Sequence, residues 1–207
     1  MSQSKKLVLF DFDGVLVNTF DSTFRISKIK NKDLTWERFK DFQNGNFHDN
    51  LQKDVKKNNF VIIDNFYDHY KKDLNDLTIE DILHEAITFL AKDNFLVIVS
   101  STRSDIINDF LEKENLLSFF NETLGHEVHT SKVFKIKHAL EKYGVSPSDT
   151  VFITDTLGDI KEANECDVPS IAVTWGLHKR ENLQKGNPIA IIDNPQDLVT
   201  VVENVLK

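Results

Sequence analysis

The chain has 207 residues, of which 40% are hydrophobic and 28% charged, and its formal net charge is −8. This composition is ordinary for a globular protein, and the acidic balance argues against nucleic acid as a partner, because polyanion binding depends on basic surfaces. The single Cys166 excludes an intramolecular disulfide, and the lack of a long apolar run argues against a membrane segment. We therefore expect a cytoplasmic protein, monomeric by default, with one large domain or one domain carrying an insertion.

A short apolar strand followed by two acidic residues lies near the start of the chain. Residues 7–10 are Leu-Val-Leu-Phe, and Asp11 and Asp13 come directly after them. Side chains alternate along a strand, so both carboxylates point to one side, where they repel unless a proton or a cation lies between them. Gly14 then allows the backbone to turn sharply. The pattern fits an acidic turn or a charged functional site.

Residues 19–81 have the apolar spacing of helices, and seven of the 16 phenylalanines lie between 20 and 80. We expect these aromatic side chains to pack a small helical bundle. Between residues 20 and 80, basic and acidic residues are equal in number, at 11 each, so the whole net charge falls on the rest of the chain, which favours a separate module. Within it, a loop is predicted at 44–51 and a further helix at 59–72.

Strands and helices alternate through the rest of the chain. Apolar runs predict strands at 95–99, within 122–128, and at 150–154, 169–174 and 189–192, with amphipathic helices between them and at 195–206. Such alternation requires crossover connections, which predicts an α/β fold with a doubly wound, Rossmann-like parallel sheet. Ligands bind such sheets beyond the carboxyl ends of the strands.

Polar side chains follow the predicted strands at this edge of the sheet. They are Asp11, Asp13, Ser100, Ser101, Lys132, Asp155 and Asp159. Oxygen ligands without His or Cys suit a hard cation such as Mg²⁺, which often binds substrate phosphate as well. A hydroxyl and a lysine nearby would hold other phosphate oxygens. Ser100, Ser101 and Thr102 are consecutive, and Ser100 is favoured as the first residue after its strand.

The order and spacing of these residues resemble the four motifs of the haloacid dehalogenase superfamily of phosphohydrolases, beginning with Asp-x-Asp-Gly-Val-x-x-x-Thr at 11–19. The resemblance implies that Asp11 is the nucleophile that forms an aspartyl-phosphate and that Asp13 is the general acid and base. It also implies that Ser100, with Ser101 beside it, and Lys132 bind the phosphoryl group. The implied ligands of Mg²⁺ are Asp11, the Asp13 carbonyl and Asp155, with Asp159 in the outer shell.

The same resemblance implies a catalytic core at 1–18 and 82–207 and an inserted, all-helical cap domain at 19–81. In the family, a loop of this cap reads the substrate, which makes Asn46, His48 and Asp49 candidate specificity residues, although a solvated turn is an equal alternative. A cap would obstruct protein-sized substrates, so a small phosphorylated metabolite is expected.

The sequence thus predicts a Mg²⁺-dependent phosphatase, with a sugar-phosphate phosphomutase as the alternative and a non-catalytic phosphate-binding regulator as a third hypothesis. Asp13 favours a phosphatase or phosphomutase over a halide-removing enzyme. Three further features are expected to be structural: His126 and His129 as surface or loop residues, and the segment 174–178 as a turn packed by Trp175. For this segment, which follows the fifth strand, a position at the border of the active site is the alternative.

Overall fold

The computed structural model describes residues 5–207, and a sheet of six parallel strands forms the centre of this part of the chain. In chain order the strands are β1 (Lys6–Phe10), β2 (Asn94–Val99), β3 (Glu122–Leu124), β4 (Thr150–Thr154), β5 (Ser170–Val173) and β6 (Ala190–Ile192). Across the sheet they are ordered β3-β2-β1-β4-β5-β6, so β1 pairs with β2 on one side and with β4 on the other. The doubly wound parallel sheet predicted from the sequence is confirmed.

Helices flank the sheet and form an insertion after β1. The inserted helices are α1 (Phe20–Ser27), α2 (Trp36–Asp41), α3 (Phe47–Asn58) and α4 (Phe66–Leu74). The helices that follow are α5 (Asp81–Leu90), α6 (Ser104–Lys113), α7 (Lys132–Tyr143), α8 (Leu157–Asn164), α9 (Arg180–Leu183) and α10 (Leu198–Val205). Between residues 5 and 207, no helix is both long enough and apolar enough to cross a bilayer.

The central strand β1 is buried on both faces, as an all-parallel sheet requires. Val8 and Phe10 pack into the apolar layer on one face, whereas Leu7 and Leu9 pack into the layer on the other. This burial fixes the register of β1, because a shift of one residue would exchange the two faces. The carboxyl end of β1 is therefore held firmly at the edge where Asp11 begins.

The inserted helices pack around an aromatic cluster of their own, which includes Phe20, Phe39, Phe42 and Phe60. The rings meet mostly edge to face; those of Phe42 and Phe60 are 5.4 Å apart between centroids. The insertion is helical throughout its regular structure, in agreement with the predicted all-helical cap. Its first helix begins at Phe20 and the next core helix at Asp81, and the division of the chain at 18/19 and 81/82 stays a prediction.

The loop predicted at 44–51 is shorter than expected. A 3-10 turn covers Phe42–Asn44, and α3 already begins at Phe47. The Asn46 side chain accepts a hydrogen bond from the backbone N–H of Asp49 at 3.1 Å, which caps the helix. Asn46 and Asp49 therefore belong to a helix start rather than to an open turn.

The helix predicted at 59–72 begins only at Phe66. Asn59 has a φ of 54°, which ends α3 in the left-handed region that asparagine tolerates. The Asn31 amide then bonds both to the N–H (2.7 Å) and to the carbonyl (2.9 Å) of Val61. This pairing holds the segment out of the helix, and the apolar spacing of 60–63 reflects burial without helical structure.

Candidate active site

Asp11 lies directly beyond the carboxyl end of β1 and is almost completely buried. Its backbone N–H donates to the carbonyl of Ile153 at 2.9 Å, which continues the pairing with β4 past the strand. One carboxylate oxygen, Oδ1, accepts from the N–H of Phe12 at 2.8 Å. The side chain is thus fixed at the middle of the sheet edge, with Oδ2 left for other partners.

Lys132, the first residue of α7, places its ammonium between two acidic residues. Its Nζ lies 2.9 Å from Asp11 Oδ2 and 2.8 Å from Asp159 Oδ2. Burial alone would lower the pKa of Lys132, but the two carboxylates raise it above the ordinary value. Lys132 is therefore a permanent cation at neutral pH, and it joins the strand β1 end to the helix α8 start.

Asp155 follows β4 and completes an acidic cluster. Oxygens of Asp11, Asp155 and Asp159 lie within 4.8 Å of one another. Asp155 Oδ2 accepts from the N–H of Leu177 at 2.7 Å, whereas its buried Oδ1 has no hydrogen-bond partner in the part of the chain that is described. Buried oxygens are rarely left unpaired, so this atom is suited to bind a metal ion.

The pKa values of the three carboxyl groups also indicate that the cluster has too little positive charge to balance its negative charge. Burial raises the pKa of Asp11 well above its usual value, although Lys132 opposes the shift. Burial, with the charge of Asp159 adding to it, raises the pKa of Asp155 to about 7. Burial acts on Asp159 as well, but Lys132 and the Thr154 hydroxyl, at 2.7 Å, hold its pKa below the usual range. Three buried carboxylates beside one ammonium fit a divalent metal ion held by oxygen ligands.

The segment 174–178 forms a turn and also borders the active site, the alternative that the sequence left open. Trp175 packs there as predicted, and its Nε1–H donates to the carbonyl of Val15 at 3.1 Å. The following residues, however, form the wall behind Asp155: Leu177 donates to the carboxylate, and Gly176 packs directly against it. A glycine just past the end of β5 was the sequence signal for this close approach.

We predict that Gly176→Ala displaces Asp155. A Cβ at this position would lie 2.2 Å from Asp155 Oδ2 and 2.4 Å from its Cβ. The position of a Cβ is set by the backbone, so Asp155 or the backbone must move. Affinity for a divalent ion, measured by titration calorimetry, is expected to fall at least ~10-fold, the size of effect seen when support around metal ligands is lost. Gly45→Ala is the control, since its Cβ would meet only the Asn50 amide at 3.3 Å; equal metal affinity in both variants would contradict the prediction.

Asp13 points toward the inserted helices and accepts hydrogen bonds from three hydroxyls. The donors are Thr19 (2.5 Å) and Tyr70 (2.5 Å) to Oδ1 and Thr102 (2.8 Å) to Oδ2. Burial and the negative charge of Asp13 raise the pKa of Tyr70, so its hydroxyl stays protonated and donates. The sequence did not indicate Tyr70, because a tyrosine in an apolar helical stripe is typical of core packing.

The two serines after β2 have different positions. Ser100 is fully buried, and its hydroxyl accepts from the N–H of Thr102 at 3.0 Å, whereas Ser101 and Thr102 line the cavity next to Asp11. Lys135, one turn after Lys132 and fully buried, donates to the carbonyl of Ser100 at 2.5 Å. Burial, with Lys132 nearby, lowers the pKa of Lys135 to about 8. Sequence reasoning missed this lysine, which braces the loop that follows β2.

The three candidate residues of the inserted helices have different surroundings. Asn46 donates to Glu162 Oε1 (3.0 Å) and to the carbonyl of Thr130 (3.2 Å), so it ties the insertion to the core. His48 lines the cavity, whereas Asp49 is exposed and does not. A role for these residues in specificity stays a prediction.

His126 was expected at the surface or in a loop, and it is in the loop after β3 but also lines the cavity. Its Nδ1 lies 3.2 Å from His48 Nε2, with the ring centroids 4.5 Å apart. His129, in contrast, is exposed, and its ring stacks on Phe134. Only the fold brings His48 and His126 together, because 78 residues separate them.

A cavity of about 450 Å³ lies between the sheet edge and the inserted helices. Asp11, Asp13 and Lys132 line its inner end, so the buried acidic cluster is open to a ligand that enters from the insertion. Pockets of roughly 300–1,000 Å³ are typical of small-molecule sites. The fold and the polar cluster together define an α/β protein with a helical cap over the strand ends and an acidic, ligand-accessible site beneath it.

Comparison with known proteins identifies the family. The model of the haloacid dehalogenase-like hydrolases matches residues 8–173, and the chain belongs to this family. It is 26% identical to a pyrophosphatase PpaX of Oceanobacillus iheyensis over 96% of this chain and 97% of the relative, and 22% identical to a phosphoglycolate phosphatase of Aliivibrio fischeri over 98% of both. A hydrolase from Pseudomonas syringae, 14% identical, superposes with a TM-score of 0.81 over 98% of this chain and all of that one.

These findings confirm the resemblance and the enzyme class predicted from the sequence. The chain is a hydrolase with phosphatase relatives, which favours an enzyme over the third hypothesis of a non-catalytic regulator. The structural similarity is at low sequence identity and shows the fold alone. The individual roles of the site residues stay predictions.

Proposed function

We propose that the chain is a Mg²⁺-dependent phosphatase that hydrolyses a small phosphomonoester through an aspartyl-phosphate on Asp11, with Asp13 as general acid and base. The observation that carries this proposal is the contact of Lys132 with Asp11 and Asp159 at the inner end of the cavity. A lysine there compensates the charge of a carboxylate and of an incoming phosphate, which phosphoryl transfer requires.

In the first half of the reaction an oxygen of Asp11 attacks phosphorus and the ester P–O bond breaks. Asp13 gives its proton to the departing alcohol oxygen. In the second half Asp13 takes a proton from water, the water oxygen attacks phosphorus, and the carboxylate of Asp11 is regenerated. Ser100, Ser101 and Lys132 are proposed to hold the phosphoryl oxygens in both halves.

The acidic cluster is proposed to hold Mg²⁺ through Asp11, the Asp13 carbonyl and Asp155, with Asp159 in the outer shell. The unpaired Oδ1 of Asp155 and the purely oxygen donor set support this assignment. When bound, the ion would neutralise carboxylate and phosphate charge as a Lewis acid. Asp159 already accepts a hydrogen bond from Lys132. This contact fits a position in the outer shell, where Asp159 would contact a water on the metal ion.

The proposal is tested with purified chain and 4-nitrophenyl phosphate. We expect phosphate release that depends on Mg²⁺ and stops on chelation with EDTA. Acid quenching during turnover should trap a covalently bound phosphate on the protein. Hydroxylamine should remove this phosphate, because it cleaves acyl phosphates. Turnover that continues undiminished in EDTA would contradict the proposal.

The phosphomutase alternative differs only in the acceptor of the phosphoryl group. Enzyme phosphorylated in a first step and then mixed with excess sugar monophosphate would yield the bisphosphate if the alternative holds. Release of inorganic phosphate at the same rate with and without the sugar phosphate supports the phosphatase.

Asp13→Asn is expected to slow steady-state turnover about 10²–10⁴-fold, the usual contribution of a general acid and base. The three hydroxyls around Asp13 can accept as well as donate, so the amide keeps its place. 4-Nitrophenolate departs without a proton, so the variant should still release it in the first turnover. We expect a burst of 4-nitrophenolate equal to the enzyme concentration, followed by slow hydrolysis of the aspartyl-phosphate. Stopped-flow absorbance measures both phases, and an unchanged steady state would refute the role of Asp13.

A further inference from the structure

The cavity continues from the acidic cluster into the interior of the inserted helices, and its wall there is apolar and mostly aromatic. The rings that line this part are those of Phe39, Phe42, Phe47, Phe60, Phe66 and Tyr67. With a volume of about 450 Å³, the cavity is in the range that accepts ligands of drug size. A phosphoryl group at Asp11 would leave most of this space for the rest of the substrate.

Among the described side chains that line the cavity, positive charge is confined to its inner end; Arg103, over the Tyr67 ring, and Lys30, beside Asp64, do not line it. Among the described residues that line it, Lys132 is the single lysine or arginine, and its ammonium is already in contact with Asp11 and Asp159. Asp64 also lines the cavity, with its carboxylate almost fully exposed to solvent. An anionic group in the aromatic part would therefore be desolvated without a cationic partner, which is strongly unfavourable.

The two histidines in the wall do not supply that charge. Burial, with repulsion from His126 and the lysines of α7, lowers the pKa of His48 to about 4. Burial and Lys135 likewise lower the pKa of His126. Both rings are neutral at pH 7, so they offer one donor and one acceptor each to an uncharged polar group.

We infer that the substrate is a monophosphate ester of a bulky, uncharged, largely apolar or aromatic alcohol, which places its phosphate at Asp11 and its alcohol portion among the aromatic rings of the cap. This inference rests on the proposed function. It sets the chain apart from a phosphoglycolate phosphatase and a pyrophosphatase, since phosphoglycolate and pyrophosphate each carry a second anionic group and little apolar surface.

The test compares substrates with similar leaving groups on the full chain with Mg²⁺. Ethyl phosphate, 2-phenylethyl phosphate and phosphoglycolate are all primary alkyl esters, so differences in kcat/KM report the contacts of the cap rather than bond reactivity. We expect kcat/KM for 2-phenylethyl phosphate to exceed that for phosphoglycolate by at least ~10-fold, since even small apolar groups in a fitted pocket reach that ratio. Pyrophosphate is expected to be hydrolysed poorly as well.

A charge introduced at the cavity wall provides a matched comparison. Ile62 lines the cavity and is 47% exposed, and Ile29 is 49% exposed but does not line it. Ile62→Lys is expected to lower the ratio of kcat/KM for 2-phenylethyl phosphate over phosphoglycolate, and Ile29→Lys to leave it unchanged. Equal or better use of phosphoglycolate or pyrophosphate by the wild type would overturn the inference, whereas no hydrolysis of any ester, 4-nitrophenyl phosphate included, would refute the proposed function beneath it.

Discussion

Asp11→Asn is expected to abolish phosphate release and yet to leave the metal-free fold at least as stable as the wild type. The amide cannot form an acyl phosphate, so activity should fall to the background of the assay. Asparagine has nearly the same shape, and its Oδ1 can still accept from the N–H of Phe12. The amide nitrogen takes the place of Oδ2 and cannot accept from Lys132, but Lys132 keeps Asp159 as an ionic partner at 2.8 Å.

The stability of this variant follows from the raised pKa of Asp11 in the folded chain. The folded state holds a proton on Asp11 that the unfolded state releases near pH 4, so wild-type stability falls as the pH rises from that value toward the folded pKa. Asp11→Asn removes this loss. In EDTA, the free energy of unfolding by urea should therefore favour the variant more at pH 8 than at pH 5.

Asp93→Asn is the control, because Asp93 is exposed and does not line the cavity. It should retain both wild-type activity and the wild-type pH dependence of unfolding. Phosphate release by Asp11→Asn near the wild-type rate would eliminate Asp11 as the nucleophile. A variant less stable than the wild type at pH 8 in EDTA would instead show that the Asp11 carboxylate stabilises the metal-free fold.

The sequence was sufficient for the core of the site because alternation along the chain predicts a parallel sheet, and parallel strands end at one edge. Asp11, Lys132, Asp155 and Asp159 all follow predicted strands or begin predicted helices, and the structure brings them together. Local sequence patterns therefore predict the part of the site whose position is set by the backbone topology.

The remaining contacts depend on how the inserted helices sit over the sheet, which no local pattern encodes. Tyr70 reaches Asp13 across 57 residues, and His48 reaches His126 across 78. Tyr70 lies in a stretch whose apolar spacing is typical of ordinary packing. His48 was a candidate because of its predicted loop, but nothing near it in the sequence indicates a contact with His126. The irregular structure of segment 59–65 was not predicted for a similar reason, since the Asn31 amide that bonds to it lies 30 residues earlier.

Lys132→Met is expected to destabilise the metal-free chain by about 3–5 kcal/mol, the cost of removing one partner from a buried ionic group. The substitution leaves Asp11 and Asp159 buried together without a cation. The raised pKa of Lys132 means that its stabilisation is fully present at neutral pH and is lost only in strong alkali. Acidification should reduce the deficit of the variant: without Lys132, burial raises the pKa of Asp159, and a proton then removes its unpaired charge.

Lys135→Met is the matched control, since Lys135 lies one turn further along α7 and is equally buried. Its ammonium donates to backbone carbonyls rather than to a carboxylate, and its pKa is lowered to about 8, so its burial as a cation is itself unfavourable. We expect Lys135→Met to cost far less stability at pH 7 than Lys132→Met, or to be neutral. Urea unfolding in EDTA at pH 5 and pH 7 measures both variants, and equal losses would show that the stability of this helix depends on lysine packing rather than on the pairing of Lys132 with the acidic cluster.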